Sequence, residues 1–311
     1  MYKRQIGNNS GNNSGNNSGN NSGNNILFGP DVASTWTFTG ARSGQLRAAD
    51  TSTASVHFSD FDSLQGGAAD DTFIVPLGTP FSGSIDGGAH STARGDTLDM
   101  RDLEVVAVTL GTAQTAISNI ETWIGNGHNS RLSASDQTNH WSLFSGTNDG
   151  FINSAQGQRM FSFEGFNILH GGAGEDIFSV LAAPAALDRG LDNRQIFGGA
   201  GKDQLHLELF PGQAGYLVFD GGDGKDSIVV RGGSAEDKVR YREEPAAQAS
   251  LSYREGKLDA YRLQYRAIEE VIDRALAAEL KVDVNSTDDA IDTLSIEANQ
   301  LSLSLIHISE P

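Results

Sequence analysis

From residue 26 onward the chain alternates short apolar runs with breaks of Gly, Asp, Asn and Ser. Trp36-Thr37-Phe38, Val56-His57-Phe58, Phe73-Ile74-Val75 and Val105–Leu110 are runs of this kind. Runs this short, rich in β-branched and aromatic residues and closed by turn formers, predict strands. Helical spacing is nearly absent. The exception is Ala267–Leu280, where Ile268, Val271, Ile272, Ala275, Leu276 and Leu280 fit one helical face, so a helix is expected there. Residues 7–25 repeat Gly-Asn-Asn-Ser and hold no apolar residue. A tract with nothing to bury predicts a flexible linker.

The runs recur in register. Trp36 stands 30 positions before Gly66, and Trp141 stands 30 before Gly171. Between them Phe58, Phe61 and Leu64 match Phe163, Phe166 and Leu169, and beyond them Asp71 and Phe73 match Asp176 and Phe178. Both copies close on similar phrases, Ile117-Ser118-Asn119-Ile120-Glu121 and Tyr265-Arg266-Ala267-Ile268-Glu269. A third, truncated unit begins around Val282-Asp283-Val284 and continues to Asp292-Thr293-Leu294. Self-similarity at fixed register marks arrays and solenoids.

The most regular phrase is G-G-x-G-x-D-x-(large apolar). It occurs as Gly171-Gly172-Ala173-Gly174-Glu175-Asp176-Ile177-Phe178, as Gly198-Gly199-Ala200-Gly201-Lys202-Asp203-Gln204-Leu205, and as Gly221-Gly222-Asp223-Gly224-Lys225-Asp226-Ser227-Ile228. The glycines permit φ > 0 and leave carbonyls open. The aspartate supplies a hard anionic oxygen, and the apolar residue after it starts an inward-facing strand. Mixed carboxylate and carbonyl oxygens suit Ca²⁺, which takes 6–8 such ligands. Weaker copies lie at Gly66-Gly67-Ala68-Ala69-Asp70-Asp71, at Gly87-Gly88 with Gly95-Asp96, and at Gly232-Gly233-Ser234-Ala235-Glu236-Asp237. A non-glycine residue forced to φ > 0 is strained, so these three rank behind the full copies.

These phrases resemble the repeats-in-toxin, or hemolysin-type calcium-binding, family, whose nonapeptide builds a calcium-binding parallel β-helix. The wider frame resembles the repeat units of very large secreted bacterial surface proteins of the adhesin kind, over roughly residues 30–300. The resemblance implies an all-β fold, a right-handed parallel β-roll or β-solenoid with Gly-Asp calcium-binding turns. It also implies a secreted or cell-surface location and a role in folding, stiffness or adhesion. Its carboxylate ligands would be Asp176, Asp203 and Asp226, then Asp71 and Asp96, then Asp237. Carbonyls of Gly171, Gly172, Gly174, Gly198, Gly199, Gly201, Gly221, Gly222 and Gly224 would complete the shells. An extracellular module of this kind binds calcium with Kd of about 10⁻⁴–10⁻³ M. In the family the nonapeptides abut, whereas here the double glycines begin 27, 23 and 11 residues apart. The turns are therefore expected to stack along one edge with longer strands between them and fewer ions. The metal-free alternative is a tight turn whose aspartate caps backbone N–H groups.

The 22 Lys and Arg face 40 Asp and Glu, a formal charge of −18. Such a chain repels nucleic acid and anionic membranes and attracts divalent cations. It has no cysteine, which excludes disulfides and thiolate chemistry. No apolar run approaches the ~18–20 residues of a membrane helix. Met1-Tyr2-Lys3-Arg4-Gln5 can be encoded by a string whose reverse complement encodes Leu303-Ser304-Leu305-Ile306-His307. Residues 1–5 and 303–311 are therefore read as translated sequencing-adapter sequence and set aside. What remains is expected to be an internal piece of a longer chain: a linker at 6–25, repeat units at 26–130 and 131–275, and the start of a further unit at 276–302.

Catalytic signatures are missing from the sequence. His57, His90, His128, His140, His170 and His206 are scattered, as surface or loop histidines are, without metal-site spacing, and no G-x-S-x-G elbow or phosphate loop occurs. Trp36, Trp123 and Trp141 recur at repeat positions, as core residues do. The expectation is a calcium-stabilised structural or adhesive region without catalysis, whose partners are calcium and host-surface or matrix ligands. The alternatives are the repeat region of a secreted exoenzyme or toxin, or a β-helix enzyme acting on polysaccharide, which would need a carboxylate, Lys or Arg cluster along one face.

Overall fold

The computed structural model describes residues 25–49, 55–79, 82–110, 117–154, 159–182, 192–234, 236–244, 248–255, 258–277, 279–283, 293–296 and 306–309. The protein is all-β, with no helix among these residues. It divides into two compact units, one of residues 1–106, 113–126 and 161–163, the other of 107–112, 127–160 and 164–311.

The first unit holds β1 (Ile26–Phe28), β2 (Ser34–Gly40), β3 (Ser43–Ala48), β4 (Val56–Phe58), β5 (Ser63–Gln65), β6 (Thr72–Ile74), β7 (Ser84–Asp86) and β8 (Thr97–Asp99). After β9 (Val106–Thr109), most of which belongs to the second unit, come β10 (Ile117–Ser118) and β11 (Thr122–Ile124). One parallel sheet runs β1-β5-β7-β10. A second runs β11-β8-β6-β2 in parallel and continues antiparallel through β3 and β4. From β5 to β11, apart from β9, which lies beside β12 in a third sheet, the chain alternates between the two sheets, and each crossing from the first to the second passes a glycine- or asparagine-led turn. The expected strands at 36–38, 56–58, 73–75 and 105–110 fall in β2, β4, β6 and β9.

The second unit repeats the plan. It holds β12 (Ser130–Ser133), β13 (Asn139–Phe144), β14 (Gly150–Ser154), β15 (Arg159–Glu164), whose residues 161–163 group with the first unit, β16 (Ile168–Gly172), β17 (Ile177–Leu181), β18 (Asp192–Gly201), β19 (Gln204–Leu209), β20 (Gly215–Gly224) and β21 (Ser227–Gly232). Then follow β22 (Lys238–Glu244), β23 (Gln248–Glu255), β24 (Leu258–Arg266), β25 (Glu270–Asp273), β26 (Glu279–Asp283), β27 (Thr293–Ile296) and β28 (Ile306–Ser309). One sheet contains the parallel series β12-β16-β18-β20-β24 and the other the parallel series β13-β17-β19-β21-β25-β27. Two antiparallel excursions interrupt the alternation, the hairpin β13-β14 and the pair β22-β23, which rejoins the sheet at β24. Strand β27, from the expected third unit, extends the second series.

Inward-facing positions carry the large apolar side chains. Leu169, Ile196, Phe219 and Leu263 from one series and Trp141, Phe178, Leu205, Ile228 and Val271 from the other are buried. Phe178 meets Phe219 edge-on at 6.1 Å, which joins the two sheets across the core. Each such side chain contributes about 1.5–3 kcal/mol when fully buried. The internal repeat is visible here: Trp36 stacks on Phe73 at 5.4 Å, and Trp141 on Phe178 at 5.3 Å.

The helix expected over 267–280 does not form. Ala267 adopts φ 51°, outside any right-handed helix, and β25 and β26 occupy the rest. Val271 pairs with Ile228 and Leu280 with Val239, so strand partners in two different sheets override the chance helical spacing.

Candidate functional site

The acids of the repeated phrases, Asp237 apart, form two columns, one in each unit. In the second unit the Asn139 N–H donates to Asp176 Oδ1 at 2.8 Å, and Asp176 N–H donates to Asp203 Oδ1 at 2.7 Å. Asp203 N–H donates to Asp226 Oδ1 at 2.8 Å, and Asp226 N–H to Glu269 Oε2 at 2.5 Å. In the first unit Asp71 N–H donates to Asp96 Oδ1 at 2.6 Å, and Asp96 N–H to Glu121 Oε2 at 2.8 Å. Each acid thus uses its side chain to satisfy the amide of the column residue one pass earlier. Its own carbonyl accepts from the next pass, as in Gln204 N–H to Asp176 O at 2.9 Å and Ser227 N–H to Asp203 O at 3.0 Å. An amide buried at a sheet corner lacks a ladder partner, and the carboxylate supplies one.

The glycines are dictated by the same stacking. A Cβ on Gly171 would lie 2.3 Å from Asp176 Oδ2 and 2.4 Å from the Gly198 carbonyl oxygen. One on Gly198 would meet Asp203 Oδ2 at 2.3 Å and Gly221 O at 2.5 Å, and one on Gly221 would meet Asp226 Oδ2 at 2.5 Å and Ala267 O at 2.2 Å. Gly66 and Gly87 repeat this in the first unit against Asp71 and Asp96. The second glycines, Gly172, Gly199 and Gly222, pair across successive strands at φ near +100°, and the third, Gly201 and Gly224, do likewise at larger φ. The carbonyl oxygens of Gly172, Gly174, Gly199 and Gly201 lie where a Cβ on the matching glycine of the next pass would sit. Ala69, which replaces the third glycine in the first unit, takes an ordinary backbone conformation, as Gly174 does, so the weak copy carries no penalty there.

The carboxyls are almost wholly closed from solvent: Asp176, Asp203 and Asp96 are 0% exposed. Burial pushes Asp176 and Asp71 up to about 6 and Asp203 and Asp96 up to about 7, and it raises Asp226 as well. Neighbouring acids add to the rise at Asp203 and Asp96, while the donated N–H groups oppose it. The second oxygens, Oδ2 of Asp96, Asp176, Asp203 and Asp226, are buried without a hydrogen-bond partner.

These oxygens decide how well a cation fits. Among the described residues no three acidic, His or Cys side chains converge on one point as a metal-holding group. An ion in the column would therefore draw on the unpartnered Oδ2 atoms of successive passes and on the first-glycine carbonyls beside them. Donors of that hard, mixed type are what Ca²⁺ takes, so the donor chemistry fits calcium.

Sequence reasoning groups Asp176, Asp203 and Asp226 together, and Asp71 with Asp96, and the structure brings each set onto one column. Asp237 lies elsewhere, accepting from the buried Tyr253 hydroxyl at 2.7 Å. The double glycine at 232 is likewise not the next turn after 221: Gly233 bridges to Leu276, and the stacked position is taken by Ala267. The residues missed are Glu121 and Glu269, which end the columns. Their phrases are visible in the sequence as matching repeat ends, and the shared Ile-Glu pair is the available signal. Asn119 and Ala267, two residues before these glutamates, share φ 51°. Among the described residues no histidine joins a metal-holding group: His170 stacks on Phe197 at 4.6 Å, and His140, His170 and His206 are half-buried strand residues, not loop residues. No family model, curated protein or solved structure matches this chain.

Proposed function

We propose that this chain is a calcium-stabilised structural repeat region of an exported protein, built as two β-solenoid units and performing no chemistry of its own. The alternation between two parallel sheets supports the solenoid, and the near-universal hand of parallel crossovers makes it right-handed. The observation that carries calcium is the row of buried Oδ2 atoms without partners, each beside a carbonyl oxygen of the next pass. An ion between passes neutralises carboxylates that burial otherwise opposes. Millimolar calcium outside the cell would then favour the folded state by RT ln(1 + [Ca²⁺]/Kd), about 1.4–2.7 kcal/mol per site at about 10 mM with Kd of about 10⁻³–10⁻⁴ M. A stiff acidic solenoid suits a spacer or adhesive role at a cell surface.

A cation-free solenoid is the second reading. It is favoured by the ladder itself, which satisfies every column amide named above with protein groups alone. Circular dichroism and thermal melts of the whole chain in excess chelator and in millimolar calcium separate the two. Calcium should raise both the β signal and the melting temperature; identical curves would leave only the cation-free form.

A further inference from the structure

Strands β22, β23, β24 and β26 carry a cluster that runs against the charge of the whole chain. Their outward positions present Lys238, Arg240 and Arg242 along β22, Arg254 on β23, Arg262 on β24 and Lys281 on β26. The register puts Lys238 beside Arg254, Arg240 beside Lys281, and Ser252 between Arg240 and Arg262. These side chains, with Ser250 and Ser252, line a groove of about 540 Å³. Among the described side chains that line the groove, six cations meet one carboxylate, Glu279, while Asp283 lies beside it on β26. Glu279 pairs with Lys238, and Asp283 is shared by Arg240, by Lys281 at 3.2 Å and by Arg242 at 4.0 Å. The described lining of the groove is thus net positive on a chain of formal charge −18.

We propose that this groove binds an acidic polysaccharide, a glycan carrying carboxylates at intervals along its chain. Guanidinium forks match carboxylates in planar, two-point geometry. Neighbouring strands set cations about 4.8 Å apart and alternate residues on one strand about 6.7 Å apart, a flat lattice that suits a repeating anion. The Ser252 hydroxyl between Arg240 and Arg262 suits a hydroxyl-rich ligand. Among the described residues the exposed large apolar side chains, Leu77, Val105, Met160 and Leu181, are absent from the groove's lining, so the described lining lacks the apolar anchors that centre a protein interface. A long nucleic-acid duplex would overhang onto an acidic surface. The inference does not depend on calcium.

The test is equilibrium binding of the whole chain to polygalacturonate in excess chelator, which removes calcium bridging between acids. Neutral dextran and duplex DNA are measured in parallel, at about 50 and about 200 mM salt. Polygalacturonate should bind, weaken with salt and lose about tenfold or more in affinity in the Arg240→Ser/Arg242→Ser/Lys281→Ser variant, its fold checked by circular dichroism. Arg242→Ser alone, at an exposed position, should weaken binding in the same direction, and Arg101→Ser in the other unit should not. Absence of polygalacturonate binding at the lower salt would overturn the proposal. Equal or tighter binding of dextran or DNA would do so too, as would unchanged binding by the folded triple variant or by Arg242→Ser.

Discussion

Asp203→Asn distinguishes an ion-bearing column from a purely hydrogen-bonded one, because it changes charge while keeping shape. The amide oxygen of the new side chain can take over Oδ1 and accept from Asp176 N–H, now 2.7 Å away. Its NH₂ replaces Oδ2, which shares the space beside Gly198 with the Gly221 carbonyl oxygen. In chelator at about pH 8 the native carboxylate is ionised although burial holds its pKa at about 7 against an ordinary 3.8. A rise of about three units corresponds to a penalty on the order of 4 kcal/mol in the folded state. The amide carries no such penalty, so it should stabilise the ion-free protein by up to that amount. At ~2–4 °C per kcal/mol for a unit of this size, the melting temperature should rise by several degrees.

Calcium should reverse the comparison. The native protein gains about 1.4–2.7 kcal/mol per site at about 10 mM calcium, and the Asp203→Asn substitution removes an anionic ligand from the spaces on both sides of its pass. The calcium-induced rise in melting temperature should therefore be clearly smaller in the variant. Differential scanning calorimetry in chelator and in calcium gives both comparisons from four melts. A variant less stable than the native chain in chelator would refute the reasoning about the buried charge. An equal calcium response in both proteins would remove Asp203 from the ligand set.

Three further outcomes follow from the same geometry. Without calcium, the column carboxyls favour the protonated fold, so their contribution is fully present below about pH 3.8 and is lost as pH rises through about 6–7; urea titrations in chelator should show stability falling from about pH 5 to about pH 8, and a rise would contradict it. Gly224→Ala puts a Cβ 1.6 Å from the Gly201 carbonyl oxygen at φ +149°, whereas Gly127→Ala meets nothing within 4 Å at φ +80°; the first should cost at least ~3 kcal/mol and the second about 1–2 kcal/mol, compared by denaturant midpoint. Arg194 is fully buried and donates through Nη2 to the Phe144, Thr147 and Asp149 carbonyls around the β13-β14 hairpin; Arg194→Met should cost about 3 kcal/mol by leaving those oxygens unsatisfied, and an unchanged midpoint would show that water replaces it.

Much of the strand pattern and of the longer column is legible in the sequence. Alternating apolar runs gave the strands, and the offset between Trp36 and Trp141 gave the duplication, because inward positions tolerate little variation in volume. The glycine-aspartate phrases put Asp176, Asp203 and Asp226 on one line, so the longer column was short only of Glu269 among its acids. Two things were hidden. A 3.6-residue spacing over 267–280 mimicked a helix because strand inward positions from β25 and β26 happened to coincide with it. The phrase at 232 resembled another turn, yet the antiparallel pair β22-β23 carries the chain away before the column resumes at Glu269. Local pattern reports a turn's chemistry; which pass it joins depends on strand pairing between residues far apart in sequence.

The irregular spacing that departs from abutting nonapeptides has a structural resolution. Successive column residues are separated by 37, 27, 23 and 43 positions in the second unit and by 25 in both steps of the first. The two longest steps contain the antiparallel excursions β13-β14 and β22-β23, so the extra length leaves the column and returns to it. What stays constant is one hydrogen bond per step, from the amide of each column residue to the side chain of the next. That bond fixes Oδ1, the first glycine makes room for Oδ2, and neither requirement refers to an ion. The motif is therefore explained by stacking alone up to its last atom, and the case for calcium rests on the partner that Oδ2 lacks.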